Sequence, residues 1–148
     1  MYKIEKANII DIPILCELLD CLFSQEVEFV PNKALQERGL KTIIKSDTMG
    51  DIFVVRVENK VVAMVNILYT FSTALGSAVA ILEDMIVNSE YRGKGIGRKL
   101  MNYILEYLKN NGFKRVTLIT DADNTNAHKF YEQNGFQGST MIPYRKIL

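Results

Sequence analysis

Between Asp51 and Asn88 the chain reads as strand three times in succession, and from Gly95 to Asn111 it reads as helix. That change of period restricts the fold more than any other feature. Asp51–Glu58, Val61–Ser72 and Ala78–Asn88 are rich in Val, Ile, Phe and Tyr, residues that suit a pleated, half-buried surface. Asn59-Lys60 between the first two predicts a hairpin, and the Ser-Thr-Ala-Leu-Gly-Ser run ending at Ser77 predicts a turn between the second and third. In Gly95–Asn111, Ile96, Leu100, Ile104 and Leu108 fall on one helical face, with Met101 and Leu105 beside them, and Asn111-Gly112 supplies a stop. A further strand follows at Arg115–Thr120. Three sequential strands predict antiparallel pairing, and the strand–helix–strand unit predicts a parallel pair.

The flanks extend this pattern. Tyr2–Glu5 is a short strand candidate. Residues 9–24 predict a helix: Asn8 can cap it, Asp11 lies in its first turn, Pro13 is early enough to be tolerated, and Leu15, Leu18, Leu19 and Leu22 form a stripe. A second helix is expected over 32–46, with Gly39 counting against it. Thr125–Asn134 predicts a short helix ending at Gly135, and the tail Phe136–Ile147 predicts one or two strands. The expectation is one domain over 1–148, of mixed α/β (α+β) class, with six or seven strands and helices on both faces.

Composition excludes several classes. The chain has 148 residues, 48% hydrophobic and 24% charged, ordinary for a globular protein and unlike a disordered one. With 18 basic and 17 acidic residues the net charge is +1, which does not predict a nucleic-acid partner. Cys16 and Cys21 match no metal spacing and are poorly placed for a disulfide, and His128 is the only histidine. Neither a metal site nor a serine–histidine–acid triad is expected. Reduced thiols fit a cytoplasmic setting. The N-terminal residues lack the pattern of a signal peptide. The charge-free stretch Val61–Leu82 is long enough to span a membrane, but Asn66, Thr70, Ser72, Thr73, Gly76 and Ser77 interrupt it, so no membrane partner is expected. The apolar residues between Ile52 and Val87 suit strand pairing in a homodimer and suit a core equally well.

The chemistry is carried by the junction from Glu83 to Lys99. Gly93, Gly95 and Gly97 alternate with other residues immediately before the best helix. Glycine lets a backbone take positive φ and approach a ligand closely. A helix start presents unpartnered N–H groups and the positive end of the helix dipole. Arg92, Lys94, Arg98 and Lys99 add four positive charges with no acid among them. The pattern predicts an anion site, most simply for a phosphate or pyrophosphate. It is not a Walker loop, because no glycine lies five before Gly93-Lys94 and no hydroxyl follows. It is not a dinucleotide fingerprint either, because Arg98 stands where the third glycine belongs.

Arg92-Gly93-Lys94-Gly95-Ile96-Gly97 resembles the [QR]-x-x-G-x-[GA] motif of the GNAT superfamily of N-acetyltransferases, and Leu82–Gly93 is similar to the strand and lead-in that precede it. Downstream, Asn124–Phe136 resembles the pattern N-x-x-A-x-x-F-Y-x-x-x-G-F. The two motifs stand in order with a helix and a strand between them, and the element order matches along nearly the whole chain. The resemblance implies a mostly antiparallel sheet whose fourth and fifth strands splay apart, and acetyl-CoA as cofactor. Its pyrophosphate would lie on the loop Arg92, Gly93, Lys94, Gly95, Ile96, Gly97 and on Arg98. The pantetheine arm would pair with the backbone of Met85, Ile86 and Val87, Asn124 would hydrogen-bond that arm, and Tyr131 would lie near the thioester sulfur.

The implied reaction is direct attack of a primary amine on the thioester in a ternary complex. An amine like that of lysine titrates near 10.4, so neutralising it at pH 7 costs about 4–5 kcal/mol. A carboxylate in an apolar strand is expensive without a role, which makes Glu83 the candidate base, directly or through water. Asp84 is the rival, on the opposite face by strand alternation. Tyr131 is the candidate acid for the departing thiolate. Glu26, Glu28 and Phe29, between the first two helices, are expected at the acceptor mouth with Asp84, and Asp121 and Asp123 add negative charge there. These acids point to a small cationic amine acceptor. A non-catalytic acetyl-CoA sensor on the same fold and an unrelated phosphate binder are the alternatives.

Overall fold

The Val- and Ile-rich run folds as β2 (Gly50–Val57), β3 (Lys60–Ser72) and β4 (Ser77–Val87), three consecutive antiparallel strands. This is a computed structural model, and it describes residues 1–26 and 28–148; Val27, in the segment expected at the acceptor mouth, lies outside the described residues. Val57 pairs with Lys60, and the turn residues Glu58 and Asn59 take φ of 49° and 65°. This is the left-handed pair that a two-residue hairpin turn demands. The turn therefore sits one residue earlier than Asn59-Lys60 predicted.

β1 (Tyr2–Lys6) adds antiparallel to β2, and β5 (Val116–Leu118) adds parallel to β4, giving the order β1-β2-β3-β4-β5. The connection from β4 to β5 runs through α3 (Ile96–Asn110). α1 (Ile12–Gln25) and α2 (Lys33–Ile44) cover one face, where Leu15, Leu18, Leu19 and Leu40 pack on Ile52, Val54, Met64 and Ile86. On the other face Leu100, Met101, Ile104 and Leu108 of α3 pack on Phe53, Val65, Ile67 and Leu82, with Phe130 and Tyr131 of α4 (Thr125–Gln133) beside them. Helices on both faces match the expectation. Gly112 (φ 83°) and Gly135 (φ 89°) end α3 and α4, and Phe113 and Phe136 donate N–H back to the carbonyls of Leu108 and Tyr131.

Asn8 caps a 3₁₀ turn, Ile9–Asp11, that leads into α1. Asp11 is buried and accepts two hydrogen bonds from Arg56, 3.0 and 2.7 Å, while Arg56 Nε donates to Glu5. This network joins β1, β2 and the start of α1.

Among the described residues the sheet has five strands, not six or seven. No strand forms among residues 137–148. The tail has a strand-like composition, but Pro143 lacks an N–H, and ladder pairing needs a partner edge that composition alone does not supply. Pro143 and Arg145 instead lie against the cleft described below, and Arg145 pairs with Glu28. No helix among the described residues is long and apolar enough to cross a membrane, and the charge-free stretch Val61–Leu82 is the β3–β4 hairpin.

Candidate active site

Two irregularities in β4 build the site. The first is a bulge. β3 pairs Asn66 with Asp84 and Ile67 with Leu82, so Glu83 has no partner of its own. Leu82 and Met85, three residues apart, consequently both pack in the α3-side core, and Ile86 packs on the α1 side. Glu83 and Asp84 share the face between them. Strand alternation had put them on opposite faces; the extra residue cancels it. The second irregularity is a parting of the sheet. Pairing of β4 with β5 ends at Leu82–Leu118, and among the described residues Glu83–Val87 continues with no strand on that side.

A cleft of about 1040 Å³ runs through the parting. Leu19, Phe23 and Glu26 line it from the α1 side and Gly97, Phe130 and Tyr131 from the α3–α4 side, which only an opened sheet permits. It also gathers Glu28, Phe29, Glu83, Asp84, Met85, Ile86, Val87, Arg92 and Asn124. Gly93, Lys94, Gly95 and Arg98 are exposed and outside this lining, and the Ile96 side chain belongs to the core, so Ile96 can offer a ligand only its backbone.

Asn88 N–H donates to the Val62 carbonyl at 2.8 Å. That fixes the phase of the ladder: the amide groups of Ile86 face β3, and those of Met85 and Val87 face the parted side. The Val87 carbonyl is already engaged by Arg92 Nε at 3.0 Å. Gly93 and Gly95 take φ of 73° and 79°, and Gly95 is the N-cap of α3 with no side-chain cap hydrogen bond. The first amides of α3 are therefore not satisfied from within the helix. A Cβ at Gly97 would stand 3.4 Å from the Phe130 ring, so glycine allows α3 to start against α4. Lys94 lies 5.2 Å from the Tyr91 ring centroid, and Lys99 lies over Tyr2 of β1, which takes it out of the cationic cluster.

The carboxylates couple. Burial pushes Glu26 upward, reinforced by Asp84, Asp121, Glu83 and Glu28. Burial also pushes Asp84 up to about 6, opposed by a hydrogen bond from Asn66 Nδ2 at 3.0 Å and reinforced by Glu83. Tyr131 is raised by burial and then by Glu26, so its phenol keeps its proton. Its ring packs edge-on to Phe130 and Phe136. Asn124 caps α4 with its side-chain carbonyl, which accepts from Ala127 N–H at 3.1 Å. His128 Nε2 lies 2.8 Å from the Asp121 carbonyl, a tie between α4 and the segment after β5. Phe29 packs against Phe23, and Glu28 is paired with Arg145. Among the described residues no group of acids, cysteines or histidines could hold a metal.

Asn66 and Arg145 were not foreseen as site residues. Asn66 had a signal, since it is the one polar residue between Val61 and Leu68. Arg145 had none.

Comparison with known proteins agrees with this fold. The uncharacterized N-acetyltransferase YhfO of Bacillus subtilis (strain 168) is 30% identical over 122 residues, covering 80% of this chain and 81% of its own. The crystal structure of a possible acetyltransferase from Clostridium difficile 630 superposes with a TM-score of 0.91 at 22% identity, over 100% of this chain and 98% of that one. The aminoglycoside N-acetyltransferase AAC(6′)-Iy in complex with CoA shares the fold with a TM-score of 0.82 at 18% identity, over 99% and 95% of the two chains. Residues 13–136 match the Acetyltransferase (GNAT) family, and this chain is a member of it.

Proposed function

We infer that the protein transfers the acetyl group of acetyl-CoA to a primary amine of a small cationic acceptor. The observation that carries this reading is the convergence of Glu26, Glu83, Asp84 and Asp121 on one cleft that also reaches the uncapped start of α3.

The residues fit a CoA-type ligand. The first amides of α3, with Arg92, Lys94 and Arg98 around them, suit a pyrophosphate. The parted edge of β4 suits an added strand-like arm, paired with both amide groups of Met85 and the N–H of Val87. Ile86, whose amides face β3, contributes its side chain instead. Asn124 has its carbonyl on Ala127, so a contact with the arm falls to Nδ2. When bound, acetyl-CoA supplies an activated acetyl thioester.

The other half of the cleft handles the acceptor. Glu26 and Asp121 attract a cation, Phe29 covers it, and Glu83 or Asp84 receives the amine proton. The acids lower the cost of bringing an ammonium in, and burial works the other way, helping it lose a proton. Tyr131, held neutral, donates a hydrogen bond to the negative charge that develops where the thiol leaves.

The test is a thiol-release assay with acetyl-CoA over a panel of amines. Acceptors with a second positive charge should show kcat/KM about tenfold or more above their neutral analogues. Equal rates for both would sink the charge argument. Isothermal titration with acetyl-CoA, CoA and ATP checks the loop: the first two should bind and ATP should not compete.

A further inference from the structure

We propose that Asn66 is a positioning residue for proton transfer: by donating Nδ2–H to Asp84 across the bulge, it makes Asp84, rather than Glu83, the carboxylate that takes the proton of the acceptor ammonium. The inference rests on the acetyl-transfer reading and chooses between its two candidate bases.

Asn66 sits in β3 between Val65 and Ile67 and is 5% exposed. A buried primary amide is costly unless its groups are paired. Among the described residues Asn66 Oδ1 has no partner, and Nδ2 makes one bond, to Asp84 Oδ2 at 3.0 Å. An amide retained in the core with half its capacity unmet is explained by that single bond to a charge. The bulge is what makes the bond possible, because it aligns Asp84 opposite Asn66 and turns it to the cleft face. Glu83 is exposed, and among the described residues no hydrogen bond or ion pair holds its carboxylate. A loosely held carboxylate does not keep one geometry for a proton in flight.

The groups facing Asp84 from around the cleft are mostly acidic. Glu83 lies beside it on β4, Glu26 follows α1, Asp121 follows β5, Tyr131 comes from α4, Arg92 stands at the loop before α3, and Arg145 is engaged by Glu28. Burial and Glu83 push Asp84 upward, and Asn66 opposes them. The outcome, about 6, leaves a carboxylate that is ionised at neutral pH and more basic than an ordinary aspartate. Without Asn66 the group would hold its proton more tightly, leaving less of the ionised form that can accept another. In the step itself the N–H bond of the ammonium breaks, the proton binds an Asp84 oxygen, and the electron pair stays on nitrogen. Ammonium and carboxylate become neutral amine and carboxylic acid, and the acid returns its proton to water through the cleft.

The experiment is a ¹³C NMR titration of the Asp84 carboxyl in the unliganded protein, assigned with Asp84→Asn, beside the pH profile of kcat/KM for the best acceptor. Asn66→Leu should raise the Asp84 midpoint by about one pH unit and move the acid limb of kcat/KM upward with it. Glu83→Gln should move both downward. Asp84→Asn should abolish the acid limb while acetyl-CoA affinity stays within about twofold. Asn66→Ser, whose hydroxyl is too short to reach, gives the same reading if the leucine variant does not fold. An unchanged Asp84 midpoint in the Asn66 variants overturns the proposal, as does an acid limb that survives in Asp84→Asn. Failure of the wild type to acetylate any amine would overturn the functional reading instead, and the NMR titration, which needs no substrate, reads the Asn66–Asp84 linkage in either case.

Discussion

Glu83 and Asp84, adjacent in β4, lie on the same face of the sheet, because β3 pairs Asn66 with Asp84 and Ile67 with Leu82 and leaves Glu83 over. Two like charges side by side in a partly dry cleft are a cost to the fold, and a site that must accept a proton is where such a cost is tolerated.

Asp84 should destabilise the folded protein at neutral pH. Its folded value is raised from 3.8 to about 6, so the folded state holds the proton more tightly than the unfolded one. The protonated group's contribution is complete below the unfolded value and is lost as pH rises from about 4 through 6. The difference corresponds to roughly 3 kcal/mol. Asp84→Asn should therefore raise Tm at pH 8, leave it nearly unchanged at pH 4, and slow acetyl transfer at pH 8 without abolishing it. Thermal denaturation across that range checks it, and an equal Tm gain at both ends would contradict it.

Tyr131→Phe keeps the ring that packs on Phe130 and Phe136 and removes only the hydroxyl. Turnover should fall by about 10²-fold, with acetyl-CoA affinity nearly intact by isothermal titration. A variant that turns over at the wild-type rate removes the phenol from the mechanism.

Gly95 holds φ at 79° at the N-cap of α3, and a Cβ there would meet nothing within 4 Å. The constraint is thus conformational, since a left-handed backbone costs other L-residues about 1–2 kcal/mol. Gly95→Val should shift the loop and weaken acetyl-CoA binding by about tenfold or more. Normal affinity in a titration would mean that the loop is not the cradle.

Arg56 is the shared partner of Glu5 and the buried Asp11. Arg56→Ala strands a carboxylate in the interior, a loss of about 3–5 kcal/mol. Urea denaturation should show the drop. Asp11→Asn, which keeps the shape and removes the charge, should cost less.

Much of this molecule was legible from its residues in order. The Val-, Ile-, Phe- and Tyr-rich run between Asp51 and Asn88, the stripe Ile96–Leu100–Ile104–Leu108 and the stops at Gly112 and Gly135 depend on local geometry, which neighbouring residues set, and each became the element expected. The glycine-punctuated loop was legible for the same reason, because positive φ at Gly93 and Gly95 is a property of the backbone there. What emerged only with the strands assembled depends on pairing. The unmatched position of Glu83 is a feature of the β3–β4 ladder, and nothing within β4 marks where it falls. The parting of β4 from β5 after Leu82 is likewise a relation between strands distant in the chain. The tail had the residues of a strand and formed none, and Arg145 met Glu28 across 117 positions of sequence. Side-chain chemistry is written locally; which charges share a cleft is decided by register, because one residue more or less in a ladder turns every following side chain to the other face.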